Sequence, residues 1–405
     1  MKTWDEISAL VNYDESKVPP YMLPDALLKA DGARVQSAFE WMNSQRPKIL
    51  ELYRRELYGE TLPRPDAMRF ELLSEKKDAL NGMALRREIR CAFEMASGKK
   101  MQTDILLYIP RNARGRVPVF AGLNFKGNHT VTNEKDVLFS GAPENRDDAK
   151  RGINSQRLCF EETLARGYAS ATACYEDVCP DPYPFDPNPW NKGVFGLLFD
   201  ESERPGLHAR VSMIGAWAWG LSRIADYLET DPNIDAGRIA VHGHSRLGKT
   251  ALWAGASDPR FGLVISNDSG CGGAALYRRR FGETPLAMAY NFPNWFVAAH
   301  EKYVEKENAM PFDQHMLIAL MAPRPVCVAS ATEDLWADPR GEYLSAYHAG
   351  SVYRLFGADA LPPETMPPPD TPFSGAVSYH LRTGKHDQNQ QDWTHYLAIA
   401  DTAFK

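Results

Sequence analysis

Arg238-Ile239-Ala240-Val241-His242-Gly243-His244-Ser245-Arg246-Leu247-Gly248-Lys249-Thr250-Ala251-Leu252-Trp253-Ala254-Gly255-Ala256 is the stretch that decides the fold. An apolar, β-branched run enters a Gly-x-Ser turn, and a helical stretch follows at once. Such a strand-to-helix turn exposes its serine at the carboxyl edge of a sheet and makes it a candidate nucleophile. The glycine two residues before the serine permits the strained turn, and the helix N-terminus favours negative charge developing nearby. One departure stands out. The usual pattern is G-x-S-x-G, whereas here Leu247 stands two after the serine and Gly248 comes one later.

Outward from this turn, short apolar strands are expected at 118–124, 169–173, 239–243, 263–266 and 326–331. They alternate with helices expected at 156–166, 210–228, 248–255 and 340–355. That rhythm predicts a buried, mostly parallel sheet covered by helices on both faces. Upstream, alternating segments at 68–73, 85–93 and 103–109 are separated by Asn81-Gly82 and Ser97-Gly98, turn chemistry that predicts an antiparallel meander opening the sheet. Residues 1–64 read as an N-terminal extension packed on the core. Pro19-Pro20 and Pro24 break it early, and a helix is expected over 32–58 with Phe39, Trp41, Met42, Ile49, Leu50, Leu52 and Tyr53 as its apolar positions. Residues 65–405 then form one α/β unit. Residues 180–189 hold five prolines and 361–372 hold six, which marks both as rim loops between sheet elements.

Composition removes several alternatives. With 44% hydrophobic and 24% charged residues in 405, the chain builds a sizeable core and is not disordered. A formal charge of −6 argues against a general nucleic-acid binder. No apolar run approaches the roughly 18–20 residues of a membrane span. Met1-Lys2-Thr3-Trp4-Asp5-Glu6 holds no apolar h-region, so no signal peptide is visible. The six cysteines form no CxxC pair and are expected to be reduced, buried small hydrophobes. HExxH, a phosphate loop and a dinucleotide fingerprint are absent. His242 and His244 alternate across a strand end and so point to opposite faces, a poor arrangement for a shared ion. Neither a metal nor a cofactor is expected.

Serine is a weak nucleophile and needs a histidine base, itself oriented by a carboxylate. Among the histidines after Ser245, His386 sits in Arg382-Thr383-Gly384-Lys385-His386-Asp387, a turn following the strand-like 376–381. His380 alternates within that strand and reads as structural, as do Trp217 and Trp219 in the helix before the serine strand. Three residues compete for the acid: Asp334, just past strand 326–331, Asp268, just past strand 263–266, and Glu333. The oxyanion of ester hydrolysis needs preorganised donors. The N–H of Arg246 is the natural first one, and Phe125 or Lys126, after strand 118–124, occupies the place of a second. A cation at a helix N-terminus is unfavourable, so the Arg246 side chain wants a reason.

Gly243-His244-Ser245-Arg246-Leu247-Gly248-Lys249 resembles the signature of the glucuronoyl esterases, carbohydrate esterase family 15, particularly its bacterial branch. The likeness continues through Asn124-Phe125-Lys126-Gly127-Asn128-His129, Ser266-Asn267-Asp268-Ser269-Gly270-Cys271-Gly272-Gly273 and Ala331-Thr332-Glu333-Asp334-Leu335-Trp336-Ala337-Asp338-Pro339 to Gly384-Lys385-His386. The resemblance implies an α/β-hydrolase fold, a three-layer sandwich, with 65–405 as its catalytic domain. It implies a serine carboxylic ester hydrolase for esters of (4-O-methyl-)glucuronate, as between xylan and lignin alcohols, with Ser245 as nucleophile, His386 as base and the Arg246 side chain on the oxyanion. Some relatives, especially fungal ones, carry glutamate where this chain has Asp268, one methylene shorter. Lys249 and Glu283 are implied to meet sugar hydroxyls, and Trp336 the glucuronoyl ring. The expected assembly is a monomer. The resemblance implies a secreted or periplasmic protein, while the visible N-terminus leaves a cytoplasmic one open. Two other readings stand beside it: another carbohydrate esterase, such as an acetyl-xylan esterase, and a non-catalytic carbohydrate-binding protein on the same fold.

Overall fold

A nine-stranded sheet spans the computed structural model, which describes residues 6–7, 9–181 and 189–404. Its strands are β1 (Ala67–Asp78), β2 (Ala84–Glu94), β3 (Lys100–Pro110), β4 (Val117–Asn124), β5 (Ala169–Cys174), β6 (Ile234–His244), β7 (Phe261–Asn267), β8 (Val326–Ala331) and β9 (Val377–Arg382). They lie in the order β1-β2-β3-β5-β4-β6-β7-β8-β9. The β1-β2, β2-β3 and β3-β5 pairs are antiparallel, and the pairs from β5 to β9 are parallel. The α/β-hydrolase architecture expected from the sequence is present, antiparallel start included.

Two apolar layers cover the sheet because inward residues alternate along each strand. Val241, Val264 and Val328 face one core, shared with α3 (Met213–Leu228), α4 (Arg246–Ser257) and α5 (Pro339–Tyr353). Ala240, Ile265 and Cys327 face the other, where α2 (Phe160–Ala165) and α6 (Gln390–Phe404) bring Phe160, Leu164, Trp393 and Leu397. Trp217 and Trp219 are buried in the first core. Five of the six cysteines are buried and Cys159 is half-buried. From β4 the chain passes to β5 on one side and then to β6 on the other, so the strand order reverses there. Ligand sites of open α/β sheets lie beyond the carboxyl ends of the strands at such a point, and Ser245 follows β6 there.

Before the sheet, a helix runs from Ala38 to Tyr58 and includes α1 (Arg46–Tyr53) between two π-helical turns, Trp41–Gln45 and Arg54–Tyr58. The Ser37 hydroxyl caps it by accepting from the Glu40 N–H, so it begins six residues after the expected start. Phe39 and Met42 point outward, 76% and 41% exposed, against the inward positions expected for them. A π turn takes one residue more than an α turn, which rotates the buried stripe away from a regular helical period. The expected Trp41, Ile49, Leu50 and Tyr53 form the stripe together with Leu57 and Tyr58. Tyr58 stacks on Trp253 of α4 at 4.5 Å and donates to the Gly272 carbonyl at 2.8 Å.

This packing predicts that Tyr58→Ala lowers the unfolding free energy by about 3–5 kcal/mol. Chemical denaturation of the variant should remain one cooperative transition. A separate early transition, leaving the sheet intact, would show that the helix is an independent unit.

Candidate active site

Ser245 lies at the turn between β6 and α4 with φ 58° and ψ −129°. Its N–H donates to the Asn267 carbonyl at the end of β7, at 2.9 Å. The turn is possible because position 243 lacks a side chain: a Cβ there would sit 1.9 Å from the Leu247 carbonyl oxygen. Gly248 packs nearly as tightly, with a notional Cβ 3.0 Å from the Asn267 carbonyl. This explains the displaced second glycine. Leu247 turns into the core, 1% exposed, and the close approach falls to the next residue. Ser245 opens onto a cleft of about 300 Å³ that also reaches Asp334 and His386.

The His386 Nδ1 and Asp334 Oδ2 atoms are 2.6 Å apart. Short cross-links hold the two loops in register. The Thr332 N–H donates to the Arg382 carbonyl at 2.9 Å, and the Glu333 N–H donates to the Gly384 carbonyl at 2.8 Å. The Gly384 N–H donates to Thr332 Oγ1 at 3.0 Å. Arg382 supports the histidine loop through the carbonyls of Lys385 and Asp387, at 2.9 and 2.8 Å, while its Nε donates to Asp392 at 3.0 Å. Of the alternative acids, Glu333 is exposed. Asp268 is buried, and its Oδ2 accepts from the Asp387 N–H at 3.4 Å. Burial, reinforced by the nearby Glu342 and Asp334 carboxylates, pushes the Asp268 pKa well above the usual carboxylate range.

Asp268, Asp334 and His386 offer ligand atoms within 4.8 Å of one another, so they are also a conceivable metal cluster. Two ligands sharing an ion at about 2.1 Å stand more than 3 Å apart in tetrahedral geometry. The 2.6 Å His386–Asp334 separation is that of a charge-assisted hydrogen bond instead. His242 and His244 do point apart: His242 packs on Phe120 and Trp393, and His244 on His386. His380 is structural in its contacts, 2.9 Å from Asp392.

On the other side of Ser245, the Arg246 guanidinium pairs with Asp181 and lies 4.6 Å from the centre of the Trp295 ring. Asp181 also accepts from the Trp295 indole N–H at 3.1 Å. Lys249 is buried, with Nζ 2.7 Å from Glu283 Oε2 and 2.6 Å from the Ser269 carbonyl. Glu283 Oε1 accepts from the Trp336 indole N–H at 3.1 Å. All three sugar-contact candidates therefore form one connected group lining the cleft. Phe125, on the loop after β4, packs edge-on against His244, and Lys126 is exposed.

The chain is 43% identical over 404 residues to a carbohydrate esterase from an unknown prokaryotic organism, a match that covers 96% of this chain and 91% of that one. A solved CE15 esterase from a marine bacterial metagenome is 41% identical over 97% of this chain and all of that one, with a TM-score of 0.87. This chain belongs to carbohydrate esterase family 15. A solved glucuronoyl esterase from Solibacter usitatus superposes with a TM-score of 0.90 at 41% identity, over 96% of this chain and all of that one. The family model described as glucuronyl esterase of fungi matches residues 189–357. A 4-O-methyl-glucuronoyl methylesterase from Wolfiporia cocos is 38% identical over 176 residues, 41% of this chain and 42% of that one.

In this member of the family, several residues of the site lie outside the motif reading. Asp181 and Trp295 hold Arg246, and Arg382 holds the histidine loop. His244 lies with its ring 4.4 Å from that of His386, its Nδ1 2.5 Å from Asn267 Oδ1. Burial, with His386 and Arg157 adding to it, keeps the His244 pKa well below the ordinary value. Glu342 of α5 sits behind the Asp268 loop and accepts from the Ser269 and Gly270 N–H groups at 2.7 and 3.0 Å and from the Ser330 hydroxyl at 2.6 Å. His244, Asn267 and Arg382 stand within the quoted stretches without a role at this site being read for them there, and nothing signalled Asp181, Trp295 or Glu342.

Glu342 generates a pH prediction. Burial raises its pKa from the ordinary 4.5 to about 8, against the opposing hydrogen bonds. The folded state therefore keeps a proton that the unfolded chain releases, so stability is fully present below the unfolded value and declines as pH rises through this window. Glu342→Gln keeps an acceptor for both N–H groups and removes the titration. Its urea midpoint should vary less than the wild-type midpoint between about pH 4.5 and 8. Parallel curves for the two proteins would refute the assignment.

Proposed function

We propose that this chain hydrolyses esters of (4-O-methyl-)glucuronic acid through a serine acyl-enzyme. The observation that carries the reading is the His386–Asp334 bond of 2.6 Å in the same cleft as Ser245, which continues to the Lys249, Glu283 and Trp336 group. A nucleophile with its base lies at one end, and a polar-aromatic recognition group at the other. Family membership and the activities named for its relatives support the same substrate class.

In this mechanism Ser245 Oγ attacks the carboxyl carbon of the uronate ester and gives its proton to His386 Nε2. Asp334 accepts from Nδ1–H, fixing the tautomer and stabilising the imidazolium that forms. The oxyanion takes the Arg246 N–H and the Arg246 guanidinium, so the cation at the start of α4 meets charge that exists only during reaction. The C–O bond to the alcohol then breaks, and His386 returns the proton to the departing oxygen. Water repeats the sequence on the acyl-enzyme, releasing glucuronate and restoring Ser245.

Lys249 and Glu283 arrange donors and acceptors for the sugar hydroxyls, and Trp336 offers an aromatic face whose indole N–H is already satisfied by Glu283. The lignin alcohol as the ester's other half, a monomeric assembly, and action outside the cytoplasm on plant cell wall are parts of this proposal. Among the described residues no helix is long and apolar enough to cross a membrane. We also read the segment before β1 as part of the catalytic unit, since Tyr58 and its neighbours pack on α4.

Ser245→Ala should reduce turnover of benzyl glucuronate by at least roughly 1,000-fold, and Asp334→Asn should cost a similar factor. Asp268→Asn should cost far less. Near-full activity of Ser245→Ala would end the proposal, and a larger loss for Asp268→Asn than for Asp334→Asn would move the acid to Asp268. Preferential turnover of acetyl over glucuronate esters would favour an acetyl esterase.

A further inference from the structure

The segment before the helical region carries an exposed aromatic side chain that the chemistry above leaves unused. Tyr13 is 47% exposed. It packs edge-on against Phe281, with ring centres 6.2 Å apart and planes at 86°. Its backbone is fixed beside the cleft, because the Gly282 N–H donates to the Asn12 carbonyl at 2.8 Å, one residue before Glu283. The turn that follows is stiffened by Asp14, which accepts from the Ser16 N–H at 3.0 Å and the Ser16 hydroxyl at 2.7 Å. Glu15 then pairs with Arg279 and, at 3.4 Å, with Arg340. An aromatic ring on so well anchored a segment is a platform and not a loose surface residue.

Its position is defined from the cleft side too. The Gly282 N–H that holds Asn12 is followed at once by the Glu283 N–H that donates to the Trp336 carbonyl, so Tyr13 and the recognition group hang on one backbone segment. Trp336 binds Glu283 twice, through its indole and through its carbonyl, which accepts from the Glu283 N–H at 2.7 Å. Beyond this pair the exposed Leu335 side chain continues the apolar surface. Tyr13 thus stands against the 281–283 segment that carries Glu283 of the recognition group.

We propose that Tyr13 is a specificity-determining contact for the glycan that carries the uronate, receiving a sugar next to the one whose ester is cleaved. The inference rests on the glucuronate-ester reading above. If the uronate ring is held by Lys249, Glu283 and Trp336 with its ester at Ser245, the glycan attached at C1 continues from the ring and not from the ester. The surface that borders this ring holder is then the place for the neighbouring sugar. Phenol rings suit it, because one face covers the sugar C–H groups while the hydroxyl meets water or a sugar oxygen.

The test compares two benzyl esters, one of 4-O-methylglucuronate alone and one of the same uronate carried on xylotriose. Full-length wild type, Tyr13→Ala and Tyr13→Phe are assayed on both, and thermal midpoints verify that each variant is folded. Tyr13→Ala should raise KM for the oligosaccharide ester about five- to tenfold more than for the monosaccharide ester. The loss should reside in KM, and Tyr13→Phe should recover most of it. An equal effect on both esters, or no effect on either, overturns the inference while leaving the glucuronate reading in place. Failure of the wild type to cleave either ester overturns that reading itself, and the inference with it.

Discussion

Between Gly243 and the Leu247 carbonyl there is no room for a β-carbon, and much of the site follows from that contact. The tight approach forces the chain at Ser245 into positive φ, where a side chain is strained. Strain of this kind costs about 1–3 kcal/mol and persists only where the surroundings over-determine the backbone. Here the neighbouring strand supplies the determination: Ser245 N–H is bound by Asn267, and Asp268, also at positive φ, is bound through its N–H to Ala329 at 2.8 Å. The ends of β6, β7 and β8 are thereby tied in series. The serine, the buried Asp268 and the loop bearing Asp334 are set by backbone hydrogen bonds before any side chain is considered.

Charge in the cleft follows a related logic. Lys249 is matched by Glu283 and Arg246 by Asp181, while Arg382 is matched by Asp392 below the histidine loop. Buried ions are tolerated when paired in this way and are costly when single. A cleft whose cations are each partnered suits an uncharged ester. Cleavage creates a carboxylate, and a site whose cations are already partnered gives the new anion little reason to stay. Against that background Arg246 is distinctive, because it follows Ser245 directly and its guanidinium rests on an aromatic shelf made by Trp295.

What the sequence disclosed, and what it hid, divides along physical lines. Strands such as 326–331 were legible to the residue because a strand buried on both faces is an unbroken apolar run. The turn at Ser245 was legible because its strain demands glycine at a fixed offset. The histidine and its competing acids were located by chain order, but the choice among Asp334, Asp268 and Glu333 is a matter of a few ångströms between loops, which no local pattern encodes. The N-terminal helix is legible together with Trp41, Ile49, Leu50 and Tyr53 of its buried face, but Phe39 and Met42 are not inward, because its π turns break the period on which such a reading depends. Asp181 and Trp295 were invisible for another reason: they matter only through Arg246, more than 45 residues away from either.

The two carboxyls at the strand ends show how position sorts similar groups. Asp268 and Asp334 follow adjacent strands, and both approach His386 within the same small cluster. Asp268 is buried, and one of its oxygens, Oδ1, has no hydrogen-bond partner among the described residues. Its charged form is penalised by that burial and by the carboxylates around it. Asp334 extends from the loop that is laced to residues 382–384, so the bonds that place the histidine loop also place Asp334. A side chain one methylene longer at position 268 would reach further toward the imidazole. With aspartate there, the short bond belongs to Asp334, and the choice is made by loop registration and not by carboxylate chemistry.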